Sequence, residues 1–252
     1  MSNSILSATN LNKEFVSDGE KQRILSNLHL DIDEGSFTVI MGSSGAGKST
    51  LLYALSGMDK PSSGIVRFSN VEITKYKSDK VARFRRKNCG FVFQQGYLLD
   101  NMSLMDNVVA AGMLLSKRKK EIVERASKLF DLVGIDNQTR KKFPAQVSGG
   151  ELQRAAIVRG LINNPSVVFA DEPTGALNSS SGAAVLDILT NINRHGQSIV
   201  MVTHDIKSAL RGDRILYLKD GVICGELKLG AYDKTDEGRH GKVRSFLDDM
   251  GW

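Results

Sequence analysis

The stretch GSSGAGKS, residues 42–49, sets three glycines ahead of a lysine and a serine. Gly42, Gly45 and Gly47 leave the backbone free to curl until successive N–H groups converge on one anion. Ser43, Ser44 and Ala46 complete the loop, and Thr50 carries the chain on into a helix expected to begin near Lys48. That helix start adds unpaired N–H groups and the positive end of a dipole. Lys48 then reaches β and γ phosphates as a point charge, and the Ser49 hydroxyl is placed to ligate Mg2+. The spacing is G-x-x-x-x-G-K-[ST], with an apolar run before it and a helical pattern after it, which is the context the motif needs. The chemistry it predicts is the binding of a nucleoside triphosphate.

Two acidic residues and a histidine extend that chemistry. VVFADEP (167–173) puts Asp171 and Glu172 at the carboxyl end of an apolar run, where ligands bind in open α/β sheets. Asp171 is expected to hold Mg2+ through water, and Glu172 to polarise an attacking water as general base. The plainer alternative is a helix cap ahead of Pro173 and Thr174, but two adjacent carboxylates exceed what a cap needs. His204, in MVTHD, ends another apolar run and is read as holding the γ phosphate and orienting the water. His29, His195 and His240 have no comparable setting. VSGGELQR (147–154) opens a second helix on a second glycine pair. Ser148, Gly149 and Gly150 offer free N–H groups there, an anion site in its own right. Ser148-x-x-Glu151 also fits a capping box, with Glu151 reaching back to the cap's N–H; both readings can hold.

These residues need strands and helices to carry them. FTVIM (37–41), SVVFADEP (166–173) and QSIVMVTHD (197–205) are apolar, β-branched runs, as expected of strands buried on both faces of a parallel sheet. Helical patterns lie at 121–134, 150–164 and 182–196, and the alternation predicts an α/β fold. ILSATNLNKEF, LSNLHLDID and GIVRFSNVEI near the N-terminus read instead as antiparallel strands. Residues from about 98 to 160 are largely helical in pattern. The basic clusters RFRRK (83–87), KRKK (117–120) and RKK (140–142) are read as solvated faces. With 252 residues, a net charge of +6 and 41% hydrophobic content, the chain can bury a core and suits an anionic ligand or surface. Cys89 and Cys224 lack metal-ligand spacing and are read as inert thiols of a reduced, cytosolic protein. No signal peptide is visible, and the apolar runs fall short of the roughly 20 residues that cross a bilayer. If the protein works on a membrane, another chain must supply the spanning helices.

In order and spacing, the loop at 42–49, FVFQQ with Gln94, VSGGE (147–151), VVFADE (167–172), GALN (175–178) and THD (203–205) resemble the nucleotide-binding subunits of ABC transporters. The resemblance covers most of the chain. It implies a P-loop NTPase with a RecA-like parallel sheet core, an antiparallel β subdomain and an α-helical subdomain at about 98–160. An ABC ATPase domain is expected over 1–230, with a family-specific tail at 231–252. The plainer alternative for the tail is a variable surface extension in which Phe246, Leu247 and Trp252 simply pack on the core. Phe15 would stack on adenine. Gln94 would touch Mg2+ and the attacking water and, with Ser49 and Asp171, complete the metal set. Lys48, Gln94, Glu172 and His204 would be the catalytic residues. A head-to-tail homodimer is implied, in which Ser148, Gly149 and Gly150 of one copy cover the γ phosphate of ATP on the other copy's loop. Glu151 departs from the family's usual glutamine and is expected to turn back to the cap. Asn178 stands where the family has aspartate, and Val147 where it has leucine.

The tail and ADEPTGALNSSSG resemble the macrolide-exporter and lipoprotein-release group, and within it the bacitracin-type antimicrobial-peptide resistance transporters. The implied partner is an integral-membrane permease, with a sensor histidine kinase possible through it, and the implied place is the cytoplasmic face of the membrane. The alternative is a regulatory ABC ATPase that transmits force or a signal in lipoprotein release, or to a cell-wall enzyme or kinase, without translocation. Nucleic acid is not an expected partner, because the interval between Gln94 and Ser148 leaves no room for the long coiled coil of DNA-acting relatives.

Overall fold

The computed structural model describes residues 4–17 and 20–252. In chain order the elements are β1 (Ser4–Ser17), β2 (Glu20–Asp33), β3 (Phe37–Met41), α1 (Lys48–Ser56), β4 (Ser63–Phe68), β5 (Val71–Glu72), α2 (Ser78–Asn88), β6 (Cys89–Val92), α3 (Leu104–Met113), α4 (Lys119–Leu132), α5 (Gly149–Leu161), β7 (Val167–Asp171), α6 (Ser179–Arg194), β8 (Ser198–Val202), α7 (Ile206–Ala209), β9 (Arg214–Lys219), β10 (Val222–Lys228) and α8 (Gly238–Asp249). They group into two compact units. Met1–Val81 and Asn193–Trp252 form the first, and Ala82–Ile192 the second.

In the first unit, β1 pairs antiparallel with β2 on one side and β4 on the other, and β5 continues from β4. These are the N-terminal runs expected from the sequence, except that Ser69, at φ 48°, turns the chain and splits the third run into β4 and β5. Leu28, Leu30 and Ile32 of β2 are buried while His29 and Asp31 face outward, the period of a sheet with one covered face. The same unit holds β3 between β8 and β9, parallel to both, with β10 returning antiparallel on β9. β3 and β8 are buried at every position, as strands covered on both faces must be. α8 buries Arg239, Val243 and Leu247 along one stripe. Of the tail residues expected in the core, Leu247 is buried and Phe246 lies against Gly225, but Trp252 is 45% exposed. Trp252 follows the end of α8 at the chain terminus, beyond the stripe that packs.

In the second unit, β6 and β7 pair in parallel, and β7 is buried throughout. α3, α4 and α5 close around Leu104, Val108, Phe130, Ala155, Val158 and Ile162. The helices expected at 121–134 and 150–164 appear as α4 and α5. The one expected from 182 begins earlier, at Ser179, because the Asn178 Oδ1 accepts the Ser181 N–H at 2.9 Å and caps the extra turn. The RFRRK cluster forms the end of α2, a helix with no buried residue, and Arg85, Arg86 and Lys87 lie in its last turn, where cations suit the dipole. Arg140 corrects the solvated-face expectation for RKK. It is only 4% exposed, its Nε donates to the Ile135 carbonyl at 3.1 Å, and Nη2 pairs with Asp131.

Candidate functional site

β3 and β8 lie side by side with Ile40 opposite Val202, and the Thr203 N–H donates to the Ile40 carbonyl at 3.2 Å. Parallel neighbours release their chains at the same edge of a sheet, so the glycine loop after Met41 and His204 emerge together. The loop's shape follows from its glycines. A Cβ on Gly42 would lie 2.2 Å from the Leu218 carbonyl oxygen, so only glycine fits so close to β9. Gly47 caps α1 at φ 96° and would drive a Cβ to within 3.0 Å of the Ile24 side chain. Lys48, first residue of α1 and 7% exposed, turns its Nζ back to donate to the carbonyls of Gly42 at 2.9 Å and Ser43 at 2.8 Å. Ala46 closes the loop through its N–H to the Ser43 carbonyl at 3.2 Å. Ser49 and Thr50 follow in the first turn of α1, which holds no acidic residue. A buried ammonium and a helix start free of carboxylates, joined by a glycine loop, are the parts from which a cradle for phosphate oxygens can be built. Phe15, on β1, is 45% exposed and carries the Lys13 ammonium 4.7 Å above its ring.

The second unit repeats the edge arrangement. Val92 of β6 stands opposite Ala170 of β7, so Gln94 leaves one strand beside Asp171 and Glu172 on the next. Asp171 is the last residue of β7 and is buried. Glu172 follows at φ 45°, a backbone state costly for a side chain with a Cβ, which marks a position held by its surroundings. Gln94 lies across Gly175, where a Cβ would come within 2.9 Å of its Nε2. Ser148 caps α5, accepting the Glu151 N–H at 3.3 Å. The Glu151 carboxylate accepts from the Ser148 N–H at 2.8 Å and from its Oγ–H at 2.7 Å. Those two bonds hold the carboxyl below the usual glutamate range. Glu151 therefore turns back to the cap as the sequence predicts. Gly150 packs on α6, with a Cβ there only 3.0 Å from the Ser181 Oγ, while Gly149 stays exposed.

Sequence reasoning passed over two residues of this unit, Gln153 and Arg159. Gln153, one turn into α5 and 2% exposed, donates through Nε2 to the carbonyls of Phe93 at 2.7 Å and Pro173 at 2.8 Å. It ties the segment bearing Gln94 to the segment bearing Glu172. Arg159, further along α5, holds the carbonyl of Tyr97, which sits at φ 45°. The apolar spacing of α5 signals Ala155, Ile157 and Val158 as core but gives no warning that a buried glutamine bridges two loops. Gln94, Tyr97, Leu98, Pro144, Leu152 and Leu177 line part of a cavity of about 380 Å³.

A phosphate-binding loop between a buried parallel strand and a helix, on an α/β scaffold, defines a P-loop nucleotide-binding protein. Comparison with known proteins narrows the class. The family profile described as ABC transporter matches residues 25–175, and the chain belongs to that family. It is 37% identical to the bacitracin export ATP-binding protein BceA of Halalkalibacterium halodurans, over 98% of this chain and 96% of that protein. It is also 37% identical to the lipoprotein-releasing system ATP-binding protein LolD of Idiomarina loihiensis, over 90% of this chain and 99% of that one. Among solved structures, the dimeric ATP-binding cassette MJ0796 in a post-hydrolysis state with ADP and Pi matches with a TM-score of 0.83 and 36% identity, covering 90% of this chain and 100% of its own. The chain is an α/β P-loop NTPase, binds ATP and is an ATPase of the ABC transporter family.

Proposed function

We propose that this chain is the ATPase subunit of a bacitracin-type antimicrobial-peptide exporter, working as a homodimer on the cytoplasmic face of a membrane beneath a permease. The observation that carries the reading is the similarity to BceA along 98% of the chain, which extends through the C-terminal tail. Among the described residues no helix is long and apolar enough to cross a membrane; in this reading the permease supplies the spanning helices. The cavity beside Gln94, with Tyr97 and Leu99 exposed next to it, offers that permease a docking place in the helical unit. A sensor histidine kinase coupled through the permease belongs to the same proposal.

In this reading Phe15 stacks on adenine, and Gly42 to Thr50 wrap the phosphates with Lys48 on the β and γ groups. Ser49, Gln94 and Asp171 would hold Mg2+. All three are oxygen donors, and among the described residues no cluster of three His, Cys, Asp or Glu side chains forms a ready metal site. Such a sparse, hard donor set suits an ion that takes its remaining ligands from phosphate and water. When bound, the ion would supply charge neutralisation on the β and γ oxygens. Glu172 accepts a proton from the attacking water, and His204 orients that water against the γ phosphate. Ser148, Gly149 and Gly150 of the second copy cover the γ phosphate, so hydrolysis removes the bridge between copies. The dimer of MJ0796 supports this arrangement.

The test is reconstitution with the cognate permease in proteoliposomes. Bacitracin-type peptide should stimulate ATP hydrolysis and move across the bilayer, and Glu172→Gln should abolish both. Stimulation without any peptide movement would instead favour the second reading, a force-transmitting ATPase, which the equal identity to LolD supports.

A further inference from the structure

The C-terminal tail reaches the turn that follows His204 through a buried cation. Arg239, in the first turn of α8, is 2% exposed. Its Nε donates to the Leu210 carbonyl at 2.7 Å, Nη1 to those of Leu229 at 3.3 Å and Gly230 at 3.2 Å, and Nη2 to Gly230 at 3.2 Å and to Gly212. Tyr232 faces it, with the Arg239 guanidinium 5.5 Å and the Arg211 guanidinium 4.4 Å from its ring. Burial lowers the pKa of this arginine, and the nearby Asp236 and Asp213 oppose the shift. An arginine so placed is an expensive surface anchor, and its targets say what it anchors.

Leu210 is the C-cap of α7, and α7 is the single turn that follows His204. A helix of four residues has no stability of its own, so its ends must be fixed by other groups. The N-terminal end is fixed by Asp205. Its carboxylate accepts from the Ser208 N–H and Oγ–H, both at 2.8 Å, and from the Lys207 N–H at 3.3 Å. Its own N–H donates to the Thr203 Oγ1 at 3.0 Å. The C-terminal end would leave the Leu210 carbonyl orphaned, and Arg239 takes it, adding a positive charge where the dipole favours one. The loop behind is tied to β3, because the Asp213 N–H donates to the Phe37 carbonyl at 3.0 Å and its carboxylate accepts the Phe37 N–H at 2.9 Å. The N–H groups of Leu229 and Gly230, just after β10, donate to the Asp213 carbonyl at 2.8 and 3.1 Å. Thus His204 hangs on a short turn pinned at the front by Asp205 and at the back by the tail.

We propose that Arg239 is a positioning residue for ATP hydrolysis: by closing the C-terminal end of α7 it fixes the backbone that presents His204, so the tail sets the turnover rate. This rests on the reading of His204 given above. The purified full-length chain tests it through a double-mutant cycle with Arg239→Lys, His204→Ala and the double variant, reading kcat, KM for ATP and Tm. Lysine keeps the charge but not the fork that reaches four carbonyls. Arg239→Lys is expected to lower kcat by roughly 10- to 100-fold, the loss that about 1 Å of misplacement produces, with KM for ATP unchanged. In the His204→Ala background the same change should cost nothing further. Equal losses in both backgrounds, or a KM that rises with the fall in kcat, overturn the proposal and leave the role of His204 standing. Parental kcat in His204→Ala overturns the role of His204 and this proposal with it. Arg239→Gln, which keeps a donor without the charge, carries the same cycle if the lysine variant does not fold.

Discussion

Single side chains in this protein do two jobs at once, and substitutions separate them. Glu151 fills the capping box of α5 while occupying a place next to the Ser148 hydroxyl. Its carboxyl is held below the ordinary range, so the stability it adds is present above the unfolded glutamate pKa and is lost as pH falls through the folded value. The Tm gap between the parent and Glu151→Gln should be constant near neutral pH and close as the solution is acidified. Thermal denaturation across pH checks this, and a gap that stays fixed into acid contradicts it. Gly175 is a second case. An added Cβ meets the flexible Gln94 side chain, with Nε2 at 2.9 Å, Cδ at 3.1 Å and Cγ at 3.3 Å. Gly175→Ala should therefore leave Tm near the parental value while displacing Gln94, and the readout is a fall in kcat at saturating ATP.

Elements are placed here by caps and by polar bridges as much as by apolar stripes. Asn178 begins α6 through an acceptor, its Oδ1, which takes the Ser181 N–H and the Ser180 Oγ–H, each at 2.9 Å. An aspartate supplies the same acceptor, so Asn178→Asp should keep the helix, whereas Asn178→Ala should cost about 1 kcal/mol. Urea titration of both variants distinguishes them. α5 has a fuller role, presenting Ser148 at its start, Gln153 one turn on and Arg159 beyond. Gln153→Leu keeps the volume but leaves two carbonyls unpaired and one bridge missing. Its stability should fall by roughly 1–3 kcal/mol, and kcat should fall with it because Gln94 and Glu172 lose their shared tether.

On the scale of the whole molecule, the proposed sites divide between the two units. Phe15, the loop at 42–50 and His204 belong to the first, and Gln94, Ser148, Gly149, Gly150, Asp171 and Glu172 to the second. The proposed dimer makes activity a property of two chains. Specific ATPase activity should decline on dilution, and Glu172→Gln with ATP should shift the chain from monomer to dimer in light scattering. Specific activity independent of concentration refutes that arrangement.

The sequence by itself determined the class of chemistry and where along the chain the strands that carry it lie. Covalent spacing sets how a glycine loop, a lysine and a serine follow one another, and strands buried on both faces leave unbroken apolar runs, as in β3, β7 and β8. The caps at Ser148 and the turn-back of Glu151 were also legible, because a capping box closes within four residues. Tertiary structure decided what depends on partners distant along the chain. Arg140 reads as one more solvated cation until Asp131 and the Ile135 carbonyl are brought to it. Gln153 and Arg239 are polar letters in helical patterns, and only folding delivers the carbonyls they hold. A buried polar group is stable only when its partners arrive, and no local pattern records where those partners come from.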